Sequence, residues 1–195
     1  MGAGVAWQCR CTVHGDRTWL VSGAFFVQAH APARLDVKRD LYRRFELHAE
    51  SDALVASSAS GLPWSRLSAQ MDRPERLLNA HPYNPPHLVP LVELFCPAEA
   101  SLARAEDLYR RIGRVPVRMK REAVGHLANR LASALWRQAA NLVAGGIAGG
   151  EGVELAGGTG PGPRSAGRGR HSAAHRGGGR GGLRRAPDGA RGLRR

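Results

Sequence analysis

Three residues of this chain have the types and spacing of proton-transfer chemistry. His81 stands 12 residues before Glu93, and Ser60 lies 21 residues before the histidine. A histidine has an unperturbed pKa of about 6.5, so it takes up and returns a proton near neutrality. A carboxylate held against its far nitrogen fixes the tautomer and raises the basicity of the ring. A serine hydroxyl in the same place would hydrogen-bond the oxygen being deprotonated. The same residues also fit a satisfied core histidine, a strand-edge charge and ordinary turn serines at Ser57, Ser58 and Ser60. Spacing alone leaves both readings open.

The elements that would position these groups can be read from hydrophobic runs. Short apolar stretches over residues 54–56, 77–80 and 89–94 predict buried strands with Ser60, His81 and Glu93 at their ends. Strand ends are where α/β folds place their chemistry. Before them, residues 24–27 suit a strand, and Pro32 suits the first turn of a helix carrying Leu35, Leu41 and Phe45 on one side, with Lys38, Arg39 and Arg43 elsewhere. A short helix is expected over residues 63–69, a helix over 101–112 ended by Gly113, and a strand over 115–118. This alternation predicts an α/β fold with a mostly parallel sheet. Between His81 and the next strand, HPYNPPH contains three prolines and Asn84, which forbid regular structure and hold a stiff loop. The longest helical pattern covers residues 122–144, with Leu127, Leu131, Leu135, Ala139 and Leu142 spaced for burial. Asn129 lies early in it, as a satisfied structural polar group or as a substrate contact.

Composition sets outer limits. At 195 residues with 43% hydrophobic side chains, the chain can bury a core. The net charge of +13 is concentrated beyond residue 155, where ten arginines face one acid, Asp188. That segment is rich in glycine and is expected to be disordered from about Gly157, because it cannot bury enough apolar surface to offset its ordering entropy. It is similar in composition to Arg/Gly-rich RNA-binding tails, but the lack of interleaved aromatics argues against specific nucleic-acid recognition. Cys9, Cys11 and Cys96 form neither a disulfide framework nor a zinc-ligand set, so no metal is expected. With no apolar run near 18 residues, the reading is a soluble, cytoplasmic protein without a membrane span.

The blocks ASSASGL, HPYNPPHLVPLVEL and GHLANRL, in this order and spacing, resemble the NAD-dependent 3-hydroxyacyl-CoA dehydrogenases. The likeness is to the branch that includes carnitine 3-dehydrogenase and lambda-crystallin (L-gulonate 3-dehydrogenase), and it runs over about residues 23–148. It implies that His81 is the general base for a 3-hydroxyl group, oriented by Glu93, with Ser60 and Asn129 holding the substrate oxygen. It also implies NAD as cofactor, with Lys38, Ser60 and Asn84 on the cofactor side, and a 3-hydroxy substrate of the acyl-CoA, carnitine or gulonate type. Intact relatives of this kind are expected to be homodimers. The implied architecture is a partial Rossmann-like sheet over residues 23–119, the first long helix of an all-α C-terminal domain over 120–156, and the Arg/Gly-rich tail over 157–195, after an irregular segment at 1–22. The alternative is a non-catalytic fragment whose basic tail binds RNA or another polyanion.

Several positions depart from the family pattern. Ala29 and Phe25 stand where the resemblance implies a glutamate and an aspartate, and Trp7 occupies the third glycine position of the opening GAGVAW. Close helix packing in a dinucleotide-binding turn needs a minimal side chain there, so the family's G-x-G-x-x-G unit is not expected before Gly23. Impaired turnover is expected from that loss. The tail keeps a family-like glycine rhythm with arginine in place of apolar residues, which predicts a high-GC gene read out of frame after about Leu155, and also before Gly23. Translation of the coding DNA in all three frames checks this; a tail with no dehydrogenase-like sequence in either other frame would overturn it.

Overall fold

The computed structural model describes residue 21 and residues 23–168, and every structural statement below concerns these residues. The expectations for residues 1–20, for Cys9 and Cys11, and for the tail beyond Arg168 lie outside them. Five strands form one sheet in the order β1-β2-β3-β4-β5: β1 Phe26–Ala29, β2 Leu54–Ser57, β3 Leu77–Pro82, β4 Leu91–Phe95 and β5 Val115–Arg118. Pairings β1–β2, β2–β3 and β4–β5 are parallel, whereas β3–β4 is antiparallel. The sheet is thus mostly parallel, as the alternation predicts. The exception arises where the short loop of residues 83–90 is too brief for a crossover connection and turns the chain back on itself.

Both faces of the sheet are covered, which is why β2 reads as an uninterrupted buried run. On one face Leu54, Ala56, Leu78, Ala80, Val92 and Leu94 pack against Leu102, Ala105 and Tyr109 of helix α3, Glu99–Arg111. On the other, Ala29, Val55 and Leu77 pack against Tyr42 and Phe45 of helix α1, Leu35–His48, and Leu67 of the short helix α2, Trp64–Leu67. Side chains alternate between faces along a strand, so Asn79 and His81 share the α1 face with Leu77.

Several boundaries differ from the sequence-based ones. Helix α1 begins at Leu35 after Arg34 in an extended conformation, leaving Pro32 outside it. Its buried stripe is Lys38, Tyr42 and Phe45 rather than one centred on Leu35 and Leu41. The Tyr42 hydroxyl donates to Ser57 Oγ at 2.7 Å, which turns this stripe toward β2 and carries Lys38 inward with it. Helix α4, Ala128–Ala144, starts six residues later than the pattern predicts. Gly125 and His126 take left-handed backbone conformations, φ 76° and 48°, which no α-helix tolerates. No residue of α4 is buried, and Leu131 and Leu135 are exposed despite their core-like spacing. The backbone continues as helices α5, Gly150–Thr159, and α6, Pro161–Arg168, where disorder was expected from Gly157. Helical hydrogen bonds are local and do not require apolar burial, and none of residues 150–167 is buried.

The chain divides into two compact units within α4, after Leu131. None of the helices among the described residues is long and apolar enough to cross a membrane. The first unit depends on β3, which pairs with neighbours on both sides. Its second residue, Leu78, is fully buried. A Leu78→Ala change is expected to cost about 2–5 kcal/mol in urea denaturation, with an unchanged denaturant slope; a loss below about 1 kcal/mol would contradict this packing.

Candidate active site

The antiparallel register of β3 and β4 sets His81 directly opposite Glu93. Both side chains point to the same face, and His81 Nδ1 meets Glu93 Oε2 at 2.9 Å. Both residues lie inside their strands rather than at the ends, because β3 runs on to Pro82 and β4 to Phe95. Glu93 is fully buried, and its second oxygen, Oε1, accepts the backbone N–H of Leu127 at 2.7 Å and of Ala128 at 2.8 Å. These are donors at the start of α4, where the helix leaves N–H groups without intrahelical partners and its dipole favours an anion. Burial alone would push the Glu93 carboxyl up; the bond to His81, the two backbone donors and the nearby His126 outweigh it and hold the group below the usual carboxylate range. A carboxylate that stays ionised must accept, so His81 carries its proton on Nδ1 and presents Nε2 as the basic atom.

Ser60 lies three residues beyond the end of β2, in the turn that follows, and its Oγ accepts from Asn129 Nδ2 at 3.0 Å. The Ser60 carbonyl accepts from Gly125 N at 3.1 Å, and the Ala59 carbonyl accepts from His126 Nε2 at 3.0 Å. The turn after β2 is therefore tied to the same segment, residues 125–129, that anchors Glu93. Ser60, His81, Glu93 and Asn129 are brought together through it.

The other two predicted residues are placed differently. Lys38 is buried in α1, and its Nζ has no hydrogen-bond partner among the described residues. Burial pushes its ammonium below the ordinary lysine range. Asn84 is exposed in the loop between β3 and β4, joined to Pro85 by a cis peptide bond, and no hydrogen bond ties it to the His81 cluster. Phe25 is exposed at the sheet edge, and Ala29 is buried at the end of β1. No group of three or more His, Cys, Asp or Glu among the described residues is disposed to hold a metal ion.

Sequence reasoning missed His126. Its ring stacks on that of His81 with centroids 4.6 Å apart and planes inclined by 26°. The GHLANRL block carried the signal, since a glycine before a histidine just ahead of a helix is a place for an abrupt change of direction. Asn79 is a further polar residue of this face: its Nδ2 donates to the Leu62 carbonyl at 3.3 Å, and its Oδ1 is buried without a partner.

Folding depresses the Glu93 pKa, which has a defined consequence for acid stability. The contribution is present in full above the ordinary glutamate value of about 4.3 and is lost as pH falls through the lower value of the folded state. Glu93→Gln, which removes the titration, is expected to flatten this acid limb in urea denaturation followed from about pH 3 to pH 7. Glu93→Ala, which strands His81 Nδ1 and two backbone donors, is expected to cost about 3 kcal/mol or more at neutral pH. An acid limb shared by the wild type and Glu93→Gln would show that Glu93 does not set it.

With this geometry in hand, similarity to known proteins gives the family. The family described as 3-hydroxyacyl-CoA dehydrogenase, NAD binding domain, matches residues 6–123. L-carnitine dehydrogenase of Streptomyces coelicolor is 40% identical over 80% of this chain and 50% of its own length. L-carnitine dehydrogenase of Bacillus cereus is 37% identical over 90% of this chain and 55% of its own length. Among solved structures, 5-formyl-3-hydroxy-2-methylpyridine 4-carboxylic acid 5-dehydrogenase, described as an NAD+-dependent dismutase, superposes with a TM-score of 0.83 at 31% identity, covering 91% of this chain and 57% of that one. The likeness is wider than residues 23–148: the family match begins upstream of Gly23, and an alignment over 90% of the chain runs past Ala148 wherever it starts. The chain spans about half the length of the curated relatives it matches. A family match across most of the sheet-forming unit, on a mostly parallel sheet that pairs a buried histidine with a glutamate, means that this chain belongs to the 3-hydroxyacyl-CoA dehydrogenase NAD-binding-domain family.

Proposed function

We propose that this chain carries the proton-transfer centre of an NAD-dependent oxidoreductase that oxidises a 3-hydroxy group to a 3-keto group. The observation that carries the reading is the His81–Glu93 pair, buried and fixed from behind by the start of α4. Oxidation of a secondary alcohol removes a hydride from carbon and a proton from oxygen. His81 Nε2 takes the hydroxyl proton, and Glu93, still ionised, stabilises the imidazolium that forms. Ser60 Oγ already accepts from Asn129, so its own O–H is free to donate to the substrate oxygen and hold it toward His81. Bound NAD supplies the acceptor for the hydride.

The chain offers one feature that fits such a cofactor. Lys38 holds a buried ammonium without a protein acceptor on the helix that covers the parallel strands β1 and β2. A desolvated cation of this kind is costly unless an acceptor is supplied to it, and a phosphate- and hydroxyl-rich dinucleotide brings acceptors. Lys38, Ser60 and Asn84 are the residues we assign to the cofactor side. The names of the relatives favour L-carnitine as substrate, with acyl-CoA and gulonate types as the other 3-hydroxy substrates. A cytoplasmic setting accords with the free, buried thiol of Cys96. The exposed Leu131, Leu135 and Trp136 of α4 favour association with a second copy.

Binding of NADH, followed by fluorescence titration, is the primary test, because Trp7 in place of the third glycine of a G-x-G-x-x-G turn is expected to keep turnover low. Oxidation of L-carnitine, 3-hydroxybutyryl-CoA and L-gulonate with NAD is the second. Replacing His81 with Gln is expected to leave NADH affinity unchanged and to lower the rate about 10²- to 10⁴-fold, the range of a lost general base. A chain that neither binds NADH nor turns over any of the three would refute the proposal.

A further inference from the structure

The dehydrogenase chemistry uses the edge of the His81 ring, but the face of the ring is also held. His126 stacks on it at 4.6 Å, within the range of offset aromatic pairs. His126 is almost completely buried, 1% exposed, and its backbone has φ 48°, a conformation that a residue with a side chain adopts only when its surroundings enforce it. The surroundings do so here. The His126 N–H donates to the Ala123 carbonyl at 3.1 Å, and the next two N–H groups, those of Leu127 and Ala128, are claimed by Glu93.

The hydrogen bonds of His126 fix its protonation. Nε2 faces the Ala59 carbonyl, which can only accept, so Nε2 carries the proton. Nδ1 is buried without a partner. A second proton would leave an unpaired N–H at Nδ1 and place a positive charge against the face of His81. Burial pushes this imidazole below the ordinary histidine range; the Ala59 carbonyl pulls it back up, His81 pushes it further down, and Glu93 raises it. The titratable groups acting on it are therefore Glu93 on β4 and His81 on β3.

We propose that His126 is a positioning residue that holds the imidazole of His81 by its face, as a neutral ring, while Glu93 holds it by its edge. The inference rests on reading His81 as the base. Two contacts at right angles leave the base neither tilt nor rotation about its bond to the strand, so Nε2 keeps one direction.

The test is imidazole NMR on the full chain labelled with 15N-histidine, because it reports tautomer and protonation without requiring turnover. His126 is expected to remain neutral with its proton on Nε2 throughout the titration of His81. The hydrogen-bonded Nδ1 proton of His81 is expected at low field in the wild type, to disappear in His126→Ala and to return in His126→Phe, which restores a ring face. Uptake of a proton by His126 before or together with His81 overturns the proposal. So does a His126→Ala chain that keeps the signal, or a His126→Phe chain no better than His126→Ala. Should the variants fail to fold, the wild-type titration still decides. Absence of NADH binding would count against the dehydrogenase reading and leave these signals as they are.

Discussion

The carboxylate of Glu93 has two oxygens and three donors, and much of the site's order follows from how they are shared. One oxygen takes His81 Nδ1, and the other takes the N–H groups of Leu127 and Ala128, just before and at the start of α4. Removing a carboxylate from water is expensive, and only a full set of charge-assisted hydrogen bonds in a fixed geometry offsets the loss. That requirement works in both directions. The anion needs the helix start and the histidine, and each needs the anion, so strand β3, strand β4 and the turn before α4 are held in one arrangement. The turn after β2 joins the same arrangement through Ser60 and Ala59. His81, Glu93, Ser60 and Asn129 are thus brought together from four separate stretches of chain.

The first unit also tolerates buried polar atoms that a core built for stability would not. Lys38 Nζ, Asn79 Oδ1 and His126 Nδ1 are buried without hydrogen-bond partners among the described residues. All three lie on helices, strands or turns that border the α1 side of the sheet or the turn after β2. Such groups are rare in folded proteins, and each is a place where the chain is shaped for something other than its own packing.

Much of this was legible in the sequence, and the limits have physical causes. The strands carrying His81 and Glu93 could be read because buried strands of a covered sheet are continuous apolar runs. Their types and the family resemblance pointed to a His81–Glu93 pair, but not to an antiparallel ladder as what joins them, since nothing in composition says that β4 runs opposite to β3; it follows from a loop too short to cross over. The start of α4 was set too early because Leu127 extends the apolar period of the helix that follows it, while Gly125 and His126 interrupt the backbone. Lys38 looked like a surface residue by type, and a hydrogen bond between Tyr42 and Ser57, distant in sequence, decides that it is not. The spacing of Leu131 and Leu135 did suggest an apolar face, but periodicity tells which residues share a face and not what covers it.

The reversal at β4 has a consequence for how this protein can vary. In a parallel pair, residues that meet are separated by a crossover whose helix must keep its length and packing. In an antiparallel pair joined by a loop, partners lie at equal distances from the turn, so the loop can gain or lose residues at its tip while every pair below it stays matched. Asn84, Pro85 and Pro86 lie in that loop. The length of this loop can therefore change without disturbing the pairing of His81 and Glu93, whereas a slip of one residue in the ladder itself would turn Glu93 to the opposite face of the sheet and abolish the pair. The ladder is fixed by its register, and the loop is where length can change.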